Sequence, residues 1–334
     1  MTLAHRADAR ASTVPGLSLC VAAGLVSLLL HGVLPQVSPL LLAIALGVVV
    51  ANVRTLPETM ASGVAVAGRR LLRVGIVLLG LSVPLQAVLA LGAGVLLLVV
   101  AVVAGGIILT LACGKALGVP PAQRLLIACG FSICGAAAVA AVSGVVDADD
   151  EDTAAAIALV VVFGTAMIGV APLLGAALGL GFDARGVLAG ASIHEVAQVV
   201  AAGGVIGSGA LAVAVLVKLA RVLLLAPVMA GIGLWQRRQS RDRSTGGQQP
   251  PLVPLFVVGF LAAVTARSFG VLPQGVLDVA AQVQTLLLAT AMFALGLGVR
   301  VSGLRRLGPR PVVLGALSTA MVTAIASIGV LAIG

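Results

Sequence analysis

Long apolar runs separated by short polar breaks dominate this chain, and most runs are long enough for one crossing of a bilayer. A spanning helix needs about 20 apolar residues. Runs and breakers predict eleven spans, at about 14–33, 38–53, 70–90, 94–113, 123–143, 154–180, 186–205, 210–234, 253–269, 276–299 and 310–332. The second and ninth are short for a full crossing. The first follows Arg6 and Arg10 as in a signal peptide. Its length and the lack of a small-residue cleavage site make it a retained span.

Composition agrees with that pattern. The 334 residues are 60% hydrophobic and 9% charged, against about 25% charged in a soluble domain. An ordinary cytosolic enzyme, a disordered chain and a disulfide scaffold are excluded. The fold class expected is an all-α polytopic membrane protein, a single transporter domain over residues 1–334. The net charge of +9 suggests nucleic acid, but aromatics are 2% and Tyr is absent. No stacking surface for bases can be built, so no nucleic-acid partner is expected.

The basic residues report topology instead. With the N-terminus in the cytoplasm, seventeen of the twenty Lys and Arg fall in cytoplasmic segments and only Arg267 falls outside. The C-terminus is then periplasmic. The acidic run Asp147, Asp149, Asp150, Glu151 and Asp152 falls outside, as a solvated loop leading into a helix. Residues 236–252, WQRRQSRDRSTGGQQPP from Trp235 onward, form a cytoplasmic polar loop.

Two stretches repeat. PLLLAIALGVVVANVRTLP at 39–57 matches PLFVVGFLAAVTARSFGVLP at 254–273, and the helices that follow both end Leu-Gly-Leu-x-Val. The copies lie seven spans apart in the series, an odd offset, so the second is inverted. Inverted repeats mark secondary transporters, whose sites lie near the midplane on interrupted helices.

Two segments are candidates for such interruptions. In ACGFSICGAAAVAAVSG, Gly130, Ser132, Cys134 and Gly135 break an apolar run. A half-helix starting there aims backbone N–H groups at a cavity, which is an anion site by geometry. The alternative is a Gly/Ala packing seam. In AGASIHEVAQVVAAGG, the polar residues are Ser192, His194, Glu195 and Gln198. Ser192 and Glu195 have capping-box spacing, so Glu195 either caps a helix or carries a coupling proton. His194 is the second coupling candidate, since imidazole titrates near neutrality.

Lys218 and Arg221 follow, three apart on one helix face and too deep to reach water. Their partners are Glu195, half-helix carbonyls or an anionic substrate. Cys20, Cys113, Cys129 and Cys134 have no metal-ligand spacing and read as small buried residues. No metal and no cofactor is expected. Nucleotide-binding, zinc-protease and serine-hydrolase motifs are missing from the sequence, which argues against an enzyme.

CGFSICGAAAVAAVSGVV, GASIHEVAQVVAAGG, VKLARVLLLAPV and RVGIVLLGLSV resemble the YeiH-type sulfate exporter family in collinear blocks from about residue 37 to 330. The resemblance implies a bacterial inner-membrane protein built from inverted repeats. It also marks Ser132, Ile133, Cys134, Gly135, His194, Glu195, Gln198, Lys218 and Arg221 as its polar motif.

The expected function is secondary active transport of a small anion, sulfate or a related oxyanion or sulfonate, by alternating access. Gly130, Ser132, Cys134, Gly135, Gln198, Lys218 and Arg221 would bind substrate; His194 and Glu195 would couple a proton or cation. Membrane lipid is the other partner, and a homodimer is left open. The alternatives are a passive anion channel, an intramembrane enzyme using His194 and Glu195, and a membrane sensor.

Overall fold

The computed structural model describes residues 13–35, 37, 39–146, 148–241, 255–298 and 308–333. It is 87% helical, with no strand among the described residues. Six of the described helices are long and apolar enough to cross a membrane: Thr13–Val33, Gly92–Ala116, Glu151–Ala177, Ser208–Gln236, Gln274–Leu297 and Pro309–Ile333. The chain is a multi-pass, all-α membrane protein. Arg6, Arg10, Asp147, residues 242–252 and Arg300, Arg305 and Arg306 carry expectations that lie outside the described residues. Residues 236–241, expected as loop, continue a helix.

Contacts divide the chain into two compact units, Met1–Ser82 with Leu272–Leu307, and Val83–Val271 with Gly308–Gly334. The helices are α1 (Thr13–Val33), α2 (Pro39–Val53), α3 (Ala61–Val66), α4 (Leu72–Leu79), α5 (Leu85–Leu89), α6 (Gly92–Ala116), α7 (Pro121–Ser132), α8 (Ala136–Ser143) and α9 (Asp150–Ala177). After them come α10 (Phe182–Ser192), α11 (Val196–Ile206), α12 (Ser208–Leu223), α13 (Leu225–Arg241), α14 (Leu255–Ser268), α15 (Gln274–Leu297) and α16 (Pro309–Ile333).

In the first unit α15 is central, with α1, α2 and α4 against it. Small residues set the spacing. A β-carbon on Gly296 would lie 2.5 Å from the Ile44 carbonyl oxygen, and one on Gly47 would lie 2.3 Å from that of Phe293. Backbones approach this closely only without side chains between them.

The second unit holds every candidate site residue. Helix α6 ends at Gly118, whose φ of +70° lets Val119 N–H reach back to the Gly114 carbonyl, 2.9 Å away. Pro121 then opens α7, which returns antiparallel to α6. A β-carbon on Gly114 would lie 2.9 Å from Arg124 Cβ, and one on Gly106 would lie 2.5 Å from Ser132 Oγ. At Ser132 the helix stops, and α8 begins four residues later.

This second arm does not continue across. The Arg221 guanidinium bonds the Phe131 and Ser132 carbonyls, so residue 221 lies level with the break. Fifteen residues further on, roughly 22 Å along a helix, Gln236 Nε2 donates to the Val145 carbonyl at 2.8 Å. Trp235 lines one cavity together with Lys115 and Arg124. The far end of α8 is therefore back at the end of the unit where α7 began.

Residues 182–206 do the same from the opposite end. The Phe182 ring approaches Gly207, within 3.9 Å of where a β-carbon would be. A β-carbon on Gly186 would lie 2.6 Å from the Ala210 carbonyl oxygen. So α10 and α12 run parallel in direct contact, and α11 returns antiparallel to both. Pro227, which cannot donate to the residue 223 carbonyl, accompanies the one-residue break between α12 and α13. Helix α9 runs between the two ends, with Gly164 against Gln198 midway and Gly175 against Arg185 at its close.

The segments expected as single crossings at 123–143 and 186–205 are thus helical hairpins with their tips facing. Arms of 12, 8, 11 and 11 residues each cover about 12–18 Å at 1.5 Å per residue, roughly half of the hydrocarbon thickness. One expectation changes as a result. Ala148 and Glu151 lie at the same end of this unit as Lys115 and Arg124, whereas a crossing at 123–143 would put them at opposite ends. In a variant lacking the native cysteines, Leu117→Cys and Ala148→Cys should react with a membrane-impermeant maleimide from the same side. Labelling from opposite sides would restore the single crossing.

Candidate functional site

A helix that ends inside a protein leaves up to four carbonyls at its C-terminus and four N–H groups at its N-terminus without intrahelical partners. Two facing hairpin tips create both kinds of end, and the polar residues singled out in the sequence serve them.

The carbonyl ends of α7 and α10 are served by α12. Lys218 Nζ donates to the carbonyls of Ile133 at 2.7 Å, Ile193 at 2.9 Å, and His194. Arg221 donates through Nε to Ser132 at 3.1 Å and through Nη2 to Phe131 at 3.0 Å. Its Nη1 reaches Gly190, Ala191 and Ile193 at 3.1, 2.8 and 2.7 Å. Both side chains are fully buried. Their spacing of three puts both charges on one face, against the negative ends of two helix dipoles. Of the three partners considered from the sequence, the half-helix carbonyls are the ones engaged.

The N–H ends of α8 and α11 meet at one carboxylate. Glu195 precedes α11 as its N-cap, and its side chain accepts from the Gln198 backbone N–H. In return the Gln198 side-chain oxygen accepts from Glu195 N–H at 3.1 Å. Across the gap, Ala136 N–H at the start of α8 donates to Glu195 Oε1 at 2.9 Å. One carboxylate therefore caps two half-helices. The capping box expected at Ser192 and Glu195 is displaced by three residues. Ser192 closes α10, with its hydroxyl bonded back to the Leu188 carbonyl at 2.7 Å.

Gly135 makes this meeting possible. Its φ of +73° and ψ of −135° suit glycine alone, and a β-carbon would lie 2.2 Å from Glu195 Cγ. Gly130 is buried under Val139 of the returning arm, 2.6 Å from where its β-carbon would be. Cys134, at the tip, and Glu195 are each 6% exposed, while Ser132, His194 and Gln198 are fully buried.

His194 ties the second tip to the first and to α16. Its Nδ1 lies 3.0 Å from the Phe131 carbonyl, and its Nε2 lies 3.0 Å from Thr319 Oγ1. A carbonyl only accepts, so Nδ1 carries a proton; Nε2 faces a Thr319 hydroxyl that donates to the Gly315 carbonyl at 2.9 Å. The Phe131 ring stacks obliquely on the imidazole at 4.6 Å between centroids. Phe131 and Thr319 were not singled out in the sequence, because nothing distinguishes them from other residues in apolar runs. Ser132 Oγ is buried with no hydrogen-bond partner among the described residues. The sequence-derived set Gly130, Ser132, Cys134, Gly135, His194, Glu195, Gln198, Lys218 and Arg221 is gathered within these two tips and the helix that clamps them.

Comparison with known proteins adds a family. The model of the family described as conserved hypothetical protein 698 matches residues 15–315. A UPF0324 membrane protein of Corynebacterium glutamicum is 50% identical, over 95% of this chain and 92% of its own. One from Agrobacterium fabrum is 33% identical over 96% and 92%, and one from Bacillus cereus 34% over 88% and 84%. No solved structure matches the chain.

Lys218→Met should leave the buried Ile133 and His194 carbonyls without this donor, at about 1–3 kcal/mol each, while Ile193 keeps its bond from Arg221. Thermal unfolding in detergent should show a clear loss of stability. Gln236→Ala, which removes one bond at the edge of the unit, should cost only about 1 kcal/mol.

Proposed function

The chain belongs to the conserved hypothetical protein 698 family of membrane proteins, and within it we propose a secondary active transporter of a small anion. The observation that carries the reading is the convergence of two half-helix N-termini, Ala136 of α8 and Gln198 of α11, on the single carboxylate of Glu195. Backbone N–H groups at helix starts favour negative charge. In the substrate-free state Glu195 supplies that charge. A proton on Glu195 removes it, and the N–H groups are then available to an oxyanion such as sulfate or a sulfonate.

Proton and anion binding are coupled in this mechanism: the more Glu195 is protonated, the more tightly the anion is held. Gly130, Ser132, Cys134, Gly135 and Gln198, on or beside the two tips, are the residues proposed to bind the substrate. Lys218 and Arg221 hold the tips in register and add positive charge, with their N–H groups committed to carbonyls. His194 links the tips to α16, and its imidazole is the second proton carrier. A coupling cation in place of the proton is the variant of this scheme.

Alternating access follows if the paired hairpins move as one body and expose the seat first to one side and then to the other. The repeat at 39–57 and 254–273 supports such a pseudo-symmetric transporter of about eleven apolar segments. The distribution of basic residues supports a bacterial inner-membrane location with a cytoplasmic N-terminus and a periplasmic C-terminus. Counting Arg185 with the outside segments, as the hairpins require, leaves sixteen of the twenty inside.

Proteoliposomes and radiolabelled sulfate test this reading. An imposed proton gradient should raise sulfate flux, and Glu195→Gln should reduce the gradient-driven part at least tenfold. Flux that ignores the gradient in both proteins would leave a passive channel, and no flux of any oxyanion would refute the anion reading.

A further inference from the structure

Away from the hairpin tips, the second unit contains a cavity of about 610 Å³ between α6, α7 and α13. It has the size of a small-molecule site. Its walls are apolar, with Leu111, Val228 and Ile232 among them. Ile108, which also lines it, is 64% exposed, so the cavity opens sideways from a helix apolar enough to span the bilayer. Its polar features gather at one end. Lys115 is at the last turn of α6 and Arg124 in the first turn of α7, and both line the cavity. Beside them in the α6–α7 turn, Arg310 Nη1 lies 3.4 Å from where a Gly118 β-carbon would be.

Trp235 completes that end. It is the only tryptophan in the chain, half exposed, with its indole on the cavity. Tryptophan favours the headgroup level, where its apolar ring and its N–H are both accommodated. The charge pattern supports a cytoplasmic position for the same end, as in the topology proposed above, on the leaflet that carries anionic lipid.

We propose that this cavity is a binding site for an anionic membrane phospholipid, with an acyl chain between α6, α7 and α13 and the phosphate held by Lys115 and Arg124. A free inorganic anion would leave the apolar walls uncovered, and a zwitterionic lipid would bring its own cation beside Lys115 and Arg124. Basic pockets between spanning helices on the cytoplasmic side commonly hold such headgroups. The proposal does not depend on what the hairpin site carries.

Native mass spectrometry of the full chain, exchanged into mixed micelles of phosphatidylglycerol and phosphatidylcholine, tests it. The wild-type protein should retain phosphatidylglycerol at least tenfold over phosphatidylcholine. Lys115→Gln with Arg124→Gln should remove that preference. Ala112→Trp, which fills the cavity and keeps both cations, should reduce retention of either lipid. Lipid-free unfolding temperatures of both variants show whether each remains folded, and the filling variant serves if the charge variant does not. Equal retention of the two lipids by wild-type protein would overturn the proposal. So would undiminished retention by either folded variant, or complete displacement by inorganic phosphate alone.

Discussion

Backbone polar groups cannot be left unpaired where water is scarce, and the second unit is organised around that constraint. In lipid each unsatisfied N–H or C=O costs several kcal/mol, so interrupted helices persist only where protein or a water-filled cavity satisfies their ends. Two helix ends of each sign are brought together here. Lys218 and Arg221 take the carbonyl ends of α7 and α10, and Glu195 takes the N–H ends of α8 and α11. Each charge faces the opposite end of a helix dipole. The ionisable groups and the breaks in the helices therefore explain one another.

The geometry at the tips also separates two roles that a list of polar residues would merge. Lys218 spends its three N–H groups on carbonyls and Arg221 makes five such bonds of its own, and both act by holding Phe131–Ile133 and Gly190–His194 in place. Glu195 is different. In the proposed mechanism its two caps are reversible, a proton or a competing anion replacing its charge at the same N–H groups. A carboxylate in that position can exchange function with a ligand without dismantling the fold, since the carbonyl ends remain clamped. This division underlies the proposal of proton-linked anion transport.

Close packing at glycine sets the tolerance of the arrangement. Gly135 admits Glu195 at a distance no side chain would allow, Gly164 admits the Gln198 amide, and Gly106 admits Ser132. The end of the same unit that carries the α6–α7 turn follows a different logic. There the cations Lys115 and Arg124 border an apolar cavity that opens sideways, a setting suited to an amphiphile rather than to a small solute.

Apolar runs and scarce charge determined that the chain is an all-α membrane protein, because bilayer thickness and backbone hydrogen bonding leave few other ways to bury such a sequence. The same scarcity picked out His194, Glu195, Gln198, Lys218 and Arg221, since ionisable and polar groups at that depth need an internal partner. Which partner each one took was decided only by tertiary structure. A break at Ser132–Gly135 or Ser192–Glu195 is legible in residues, but whether the chain then crosses or folds back is not. Both outcomes use the same local backbone, and the choice depends on contacts such as Gln236 with Val145 and Phe182 with Gly207, which join positions far apart in the sequence. That choice turned two expected crossings into facing hairpins, moved the cap from Ser192 to Glu195, and brought Phe131 and Thr319 to His194.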